Sequence, residues 1–91
     1  MEVLIISWKN TSDSPPDTIY YVNDIEVGLN DIGFNKILQY LNISKPNKVI
    51  IDMAGKLSLD SGMLEKSLPF YHRIDEFNNA LGEKDLVYKL F

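Results

Sequence analysis

Short apolar runs alternate with polar breaks along the chain, and this alternation predicts its first strands. Residues 3–8 form an unbroken run dominated by β-branched and aromatic side chains, which predicts a strand buried on both faces. Residues 10–17 are mostly polar and contain two consecutive prolines, which predicts a loop. Residues 18–22 are again rich in β-forming side chains, so we expect a second strand there.

The stretch 18–27 allows two interpretations. Asn23-Asp24 lies between two runs of β-forming residues and suits a two-residue hairpin turn, which would make residues 25–27 a short return strand. Alternatively, the whole stretch forms one longer, bulged strand. We favour the hairpin.

Residues 30–42 have the spacing of an amphipathic helix of about three turns. Gly28 is expected to end the preceding strand, and Asn30 is expected to cap the N-terminus of the helix. The helix should stop before residue 44, because Pro46 cannot continue it. The apolar positions that carry the helical spacing are Phe34, Ile37, Leu38 and Leu41.

The apolar triplet Val49-Ile50-Ile51 is the centre of the predicted fold. It lies in a third strand, residues 48–53, which follows a strand and a helix. That order implies a right-handed crossover and parallel pairing within one sheet. We therefore expect the triplet in the middle of the sheet, beside strands that run in the same direction.

The second helix has a clear end and an uncertain start. Phe70, Ile74, Phe77 and Leu81 follow helical spacing, which predicts a helix over residues 69–81 that Gly82 terminates. In one interpretation this helix begins at Asp60 or Ser61. In the other, residues 54–67 form a loop, Ser67 caps the helix and Pro69 lies near its first position. Residues 86–91 then predict a fourth strand, parallel to the third.

The resulting fold is a single domain over residues 1–91, at the border of the α/β and α+β classes. It has ββαβαβ order, a mixed four-stranded sheet with parallel crossovers, two helices, and one more strand if 18–27 is a hairpin. The first and third strands are apolar on both sides, so a second face of the sheet needs a cover. That cover is the 10–17 loop with the hairpin, or a second copy in a homodimer.

Composition excludes several classes of partner. The net charge of −4 and the scattered lysines provide no basic stripe for nucleic acid. No apolar window is long enough for a membrane span, and residues 1–8 do not resemble a secretory signal, so we expect a cytoplasmic protein with no membrane partner. The chain has no cysteine and a single histidine, His72, which we interpret as a surface residue rather than a zinc ligand. No metal or cofactor is indicated.

The residues that follow the third strand carry the candidate chemistry. The sequence VIIDMAG resembles the first motif of haloacid-dehalogenase-like phosphotransferases, with Asp52 as nucleophile. That mechanism needs a second aspartate as general acid, and Ala54 stands in its place. We therefore reject this reaction and lean against an enzyme. A phosphate or nucleotide site in the loop is weakly indicated by Gly55, Lys56, Ser58, Ser61 and Gly62.

Residues 52–61 also resemble the hallmark of STAS domains, the fold of anti-sigma-factor antagonists. In that family a strand ends in Asp-Leu-Ser-Gly, and Asp-Ser-Ser-Gly-Leu follows at the start of a helix. The interval from Asp52 to Asp60 matches, and Ser61 falls on the phosphorylatable serine. Gly62 replaces the family's next serine, and Pro69 interrupts its second helix.

The resemblance implies a partner-switching module in which a kinase phosphorylates Ser61. A phosphate at a helix start is tolerated by the helix dipole but blocks a partner that docks there, and Asp60 would add repulsion. The simpler alternative is that Asp60 or Ser61 caps a helix.

Two functional hypotheses follow. The leading one is a small non-catalytic protein interaction or regulatory module that binds a protein partner or itself. The alternative is a small ligand- or phosphate-binding domain or enzyme that uses the 52–62 loop. The candidate regulatory residues are Lys56, Ser58, Asp60 and Ser61 with Asp52, and the candidate interface residues are Trp8 and Tyr20.

Overall fold

The computed structural model describes residues 2–55 and 64–90, which form one mixed sheet and two α-helices. Two short 3-10 helices, Glu65–Ser67 and Tyr71–Arg73, precede the second α-helix. The main elements in chain order are β1 (Val3–Asn10), β2 (Thr18–Val22), β3 (Ile25–Leu29), α1 (Asn30–Ile43), β4 (Lys48–Asp52), α2 (Ile74–Leu81) and β5 (Asp85–Lys89).

The sheet has the strand order β3-β2-β1-β4-β5. β4 pairs in parallel with β1 on one side and with β5 on the other, whereas the β1–β2 and β2–β3 pairs are antiparallel. Ile50 is in register with Ile5 and Val87. The prediction that residues 49–51 lie inside the sheet between strands of the same direction is therefore confirmed.

The α/β class is confirmed, but the sheet has five strands rather than four. The additional strand is β3, which forms a hairpin with β2 rather than one bulged strand. Asn23 and Asp24 have φ values of +50° and +67°, as a tight two-residue hairpin turn requires. The prediction that Gly28 ends the strand is wrong, because β3 continues to Leu29 after a register shift opposite Tyr20 and Tyr21.

Helix α1 is confirmed, but Asn30 does not cap it through its side chain. The side-chain oxygen of Asn30 instead accepts a hydrogen bond from the Thr18 backbone N–H, at 2.9 Å. Its Nδ2 donates to Asp17 Oδ1, also at 2.9 Å. Asn30 therefore ties the start of β2 to the start of α1, and this tertiary pairing replaces the expected local one.

Helix α2 begins at Ile74, so both predicted starts, at 60–61 and at 69, are wrong. Proline disfavours a helical conformation in the residue before it. Leu68, which precedes Pro69, is accordingly extended, with ψ of 138°. The chain then makes one 3-10 turn before α2. The predicted apolar stripe is nevertheless buried, since Phe70 and Phe77 are fully inaccessible.

Both α-helices pack on one face of the sheet, which we call the covered face. Phe34 of α1 stacks on Phe70 at a centroid distance of 4.8 Å, and Phe70 contacts Phe77 of α2 at 5.0 Å. These rings belong to one core cluster with alternate residues of the central strands. The sheet residues buried in that cluster are Leu4, Ile6, Trp8, Tyr20, Val22, Val49 and Ile51.

Candidate functional site

Most of the regulatory residues predicted from the sequence lie outside the described residues. This applies to Lys56, Ser58, Asp60 and Ser61. Of the predicted loop site, the structure describes Asp52, the last residue of β4, and Gly55, which is exposed. The convergence of Asp52 and Asp60 on one ligand therefore stays a prediction.

The Asp52 carboxylate has one oxygen in an unusual environment. Its Oδ1 is buried, and it accepts no hydrogen bond from residues 2–55 or 64–90. A buried acceptor without a donor costs about 1–3 kcal/mol, which a donor from a ligand, a partner or another part of the chain would recover. A depression of about 370 Å³ opens nearby, beside the end of β1, but Asp52 does not line it.

The two candidate interface residues belong to the covered face. Trp8 is 5% exposed and Tyr20 is 3% exposed. Burial raises the pKa of the Tyr20 phenol above its ordinary value. With so little accessible surface, these side chains give a partner little to contact.

The opposite side of the sheet, which we call the open face, is such a surface. Neither helix packs on it, since both place their buried side chains in the core cluster on the other side. The hairpin that was expected to cover it extends the sheet instead. Strand alternation and register identify the side chains of the open face, which are Val3, Ile5, Ser7, Lys9, Ile19, Tyr21, Glu26, Leu29, Lys48, Ile50, Asp52, Asp85, Val87 and Lys89.

An apolar row crosses the middle of the open face. Ile5, Ile50 and Val87 are in register on three adjacent parallel strands. Ile5 and Ile50 lie on β1 and β4 in the interior of the sheet, yet both are only half-buried. Val87 lies on the edge strand β5 and is 37% exposed. Tyr21 extends the apolar surface toward β2. The Lys9 ammonium lies over the Tyr21 ring, 5.6 Å from the ring centroid.

A charged cluster that sequence reasoning missed joins the two helices on the other side of the molecule. The Arg73 guanidinium donates to Glu76 at 2.7 Å and to Asp31 of α1 at 3.3 Å. It also lies over the Phe34 ring, 4.7 Å from the centroid. Arg73 holds the pKa of the Glu76 carboxyl below its ordinary value. The Arg73–Glu76 spacing was visible in the sequence, whereas the contact with Asp31 depends on how the helices pack.

The geometry of this cluster suits a structural role. His72 Nε2 is 3.7 Å from Asp31 Oδ1, but both side chains are mostly exposed, at 65% and 70%. Well-solvated groups of this kind interact weakly. Within residues 2–55 and 64–90, no three His, Asp or Glu side chains are grouped in a way that could hold a metal ion.

Comparisons of the chain with protein-family models, with curated proteins and with solved structures gave no significant match. The STAS resemblance therefore stays a prediction. None of the helices in the described part of the chain is long and apolar enough to span a membrane. The open face is therefore the feature of the molecule that bears most on its function.

Proposed function

We propose that the chain is a small, non-catalytic protein interaction module that binds its partner through the open face. The observation that supports this most directly is the contrast between the two sides of one sheet. The side chains of one are almost wholly buried under the helices, while an apolar row on the other remains accessible to solvent.

Accessible apolar surface on a sheet has a thermodynamic consequence. Each Å² removed from water contributes roughly 25 cal/mol, so covering the row stabilises a complex without any further change in the fold. The row is rimmed by charged residues, among them Lys48, Asp85 and Lys89. An apolar centre with a polar rim is the usual anatomy of a protein interface.

A matched pair of substitutions tests this proposal. Val87→Asp places a charge at the end of the apolar row, on an edge strand where the fold tolerates it. Ile43→Asp makes the same kind of change at a side chain of α1 that is 78% exposed and far from the open face. We expect tagged wild-type protein and the Ile43→Asp control to retain the same partners from cell extract, and Val87→Asp to lose them. Equal retention by both variants would refute the open face as the binding surface.

We further propose, on the basis of the STAS resemblance, that phosphorylation of Ser61 regulates this binding. β4 carries Asp52 on the open face, and the chain that follows it leads to Ser61. Intact-mass measurement of the native protein before and after phosphatase treatment tests the modification. Loss of about 80 Da, the mass of one phosphate group, from wild type but not from Ser61→Ala is the expected result. An unmodified native protein would contradict it.

One observation favours a second candidate, a small-ligand site at the end of β4. The buried Oδ1 of Asp52 accepts no hydrogen bond within residues 2–55 and 64–90. A carboxylate favours a ligand that donates hydrogen bonds, such as an amine or a hydroxyl compound, over a free phosphate. A thermal-shift screen of such compounds against wild type and Asp52→Asn tests it. Stabilisation of wild type alone would support this site, and an absence of shifts would reject it.

A further inference from the structure

The charges on the open face follow a regular pattern on two neighbouring strands. On β4, Ile50 is flanked by Lys48 toward the start of the strand and by Asp52 toward its end. On β5 the order is reversed, with Val87 flanked by Asp85 and then by Lys89. The register places Lys48 beside Asp85 and Asp52 beside Lys89. Each strand therefore carries opposite charges on the two sides of the apolar row.

This pattern is self-complementary under a two-fold rotation. The axis of this rotation lies above the open face, parallel to the sheet, and follows the apolar row across the strands. Rotation about it brings a second copy face to face with the first and reverses β1, β4 and β5 onto their own counterparts, whereas β2 and β3 lie on one side of the row and do not meet theirs. The apolar rows of the two copies then cover each other. Lys48 faces Asp52 of the second copy, and Asp85 faces Lys89 of the second copy. Such isologous pairing is the commonest form of association between identical chains.

We propose that the occupant of the open face is a second copy of this chain, docked about this axis. The inference rests on the proposed function, which it makes specific by naming the partner. In this dimer the two sheets pack face to face, and each helical layer lies on the outside. Every one of the four charges that border the row in β4 and β5 meets an opposite charge.

The net charge of the face also favours a second copy over a basic partner. The open face carries three lysines and three acidic residues, so its charges cancel. The net charge of −4 lies on the rest of the molecule. A basic partner would be drawn to the acidic remainder, whereas two copies of the open face meet without net repulsion.

A different two-fold axis would also pair opposite charges. An axis that runs along the strands between β4 and β5 places Lys48 against Asp85 and Asp52 against Lys89. That arrangement leaves Ile5 beyond the edge strand of the second copy, whereas the axis along the row covers all three of its apolar side chains. We therefore choose the axis along the row, and the two arrangements make different predictions.

The size of the face sets the expected strength of association. The three strands that cross the row, about 4.8 Å apart and about five residues long at about 3.3 Å per residue, span roughly 14 by 17 Å, or about 240 Å² in projection. A standard interface buries about 800 Å² per partner. We expect a weak, reversible dimer that forms at high micromolar and higher concentrations, so its association must be measured over a wide concentration range.

Charge reversal measured by sedimentation equilibrium tests the proposal on the full chain. Lys89→Asp places like charges against Asp85 twice in each dimer, and we expect it to weaken association at least tenfold, or about 1.4 kcal/mol. Adding Asp85→Lys restores opposite charges, so the double variant should recover association to within about threefold of wild type. Circular dichroism and thermal melting at low concentration verify that each variant is folded.

A second double variant distinguishes the two axes. Asp52→Lys combined with Lys89→Asp keeps opposite charges side by side within the chain but places like charges in contact across the proposed dimer. We expect it to remain dissociated. Recovery of association by this variant, and not by the double variant Lys89→Asp with Asp85→Lys, would overturn the proposed arrangement.

The outcome for wild type separates this inference from the proposed function. A wild-type protein that stays monomeric at every concentration overturns the second-copy proposal. If Val87→Asp then still abolishes retention of a different protein, the open face remains a binding surface. If Val87→Asp affects neither association nor retention, both proposals fail.

Discussion

The two faces of the sheet are built from similar side chains, yet within residues 2–55 and 64–90 only one of them is buried under helices. Val49 and Val87 are a clear example. They are the same residue type on neighbouring strands, but Val49 faces the helices and is fully buried, while Val87 faces away and is 37% exposed. The apolar character of a strand therefore does not reveal which of its sides the chain itself covers.

The largest effect expected on the covered face is the loss of a central aromatic ring. Phe77 is fully buried and contacts Phe70. Phe77→Ala removes that contact and leaves a cavity that the helices and sheet cannot close, so we expect destabilisation of about 3–5 kcal/mol. Urea denaturation measures it. A loss below about 1 kcal/mol would show that the covered face is not the packed core described above.

The valine pair tests the comparison directly. Val49→Ala removes fully buried methyl groups and should cost about 2 kcal/mol of unfolding free energy. Val87→Ala removes methyl groups that remain partly in water, and it should cost less than 1 kcal/mol in the monomer. Both are measured by urea denaturation at low protein concentration. Equal costs would mean that the two faces are equally buried, which would contradict the difference between Val49 and Val87.

A glycine substitution tests how closely α1 approaches the hairpin. A Cβ added to Gly33 would lie 2.4 Å from the carbonyl oxygen of Gly28 and 2.8 Å from a ring carbon of Tyr20. Alanine is a better helix former than glycine, by about 1 kcal/mol. Even so, we expect Gly33→Ala to destabilise the protein by about 1–3 kcal/mol, because the helix must shift away from the sheet. Stabilisation in thermal denaturation would disprove this close contact.

The smallest effect concerns the charged cluster between the helices. Arg73 lowers the pKa of Glu76 from its ordinary value of 4.5, since the guanidinium stabilises the carboxylate. The stabilisation is present at neutral pH, where the carboxylate is ionised in both states, and is lost as the pH falls through the folded-state pKa. We expect Glu76→Gln to lose stability relative to wild type at neutral pH and to converge with it in acid. A difference that stays constant with pH in urea titrations would show that the ion pair does not contribute.

The sequence predicted the centre of the fold because the local pattern and the tertiary arrangement agree there. A continuous apolar run in residues 49–51, reached after a strand and a helix, has few alternatives to an interior parallel strand. The hairpin turn was also predictable, since Asn and Asp tolerate the positive φ values that the turn requires. In both places the signal lies within a few adjacent residues.

The predictions failed where a tertiary contact replaced a local one. Asn30 is a suitable N-cap residue, but its side chain pairs with Thr18 and Asp17. The start of α2 was misplaced because the apolar stripe continues through Phe70, while Pro69 forces the preceding residue into an extended conformation. Residue spacing does not show which of two competing interactions is stronger.

The self-complementary charge pattern of the open face could not be predicted, because it depends on strand register. Lys48 and Asp85 are far apart in the sequence and become neighbours only when β4 and β5 pair. The sequence did predict that a second apolar face would need a cover. Which residues form that face, and what its charges favour, required the sheet order.

Carboxyl labelling of the wild-type protein across a range of concentrations tests whether a second copy covers the open face. Asp85 lies on the open face and Asp75 on the outside of α2, and both are exposed in the single chain. We expect Asp85 to become protected from modification as the concentration rises while Asp75 reacts at a constant rate. Constant reactivity of both aspartates at every concentration would contradict it.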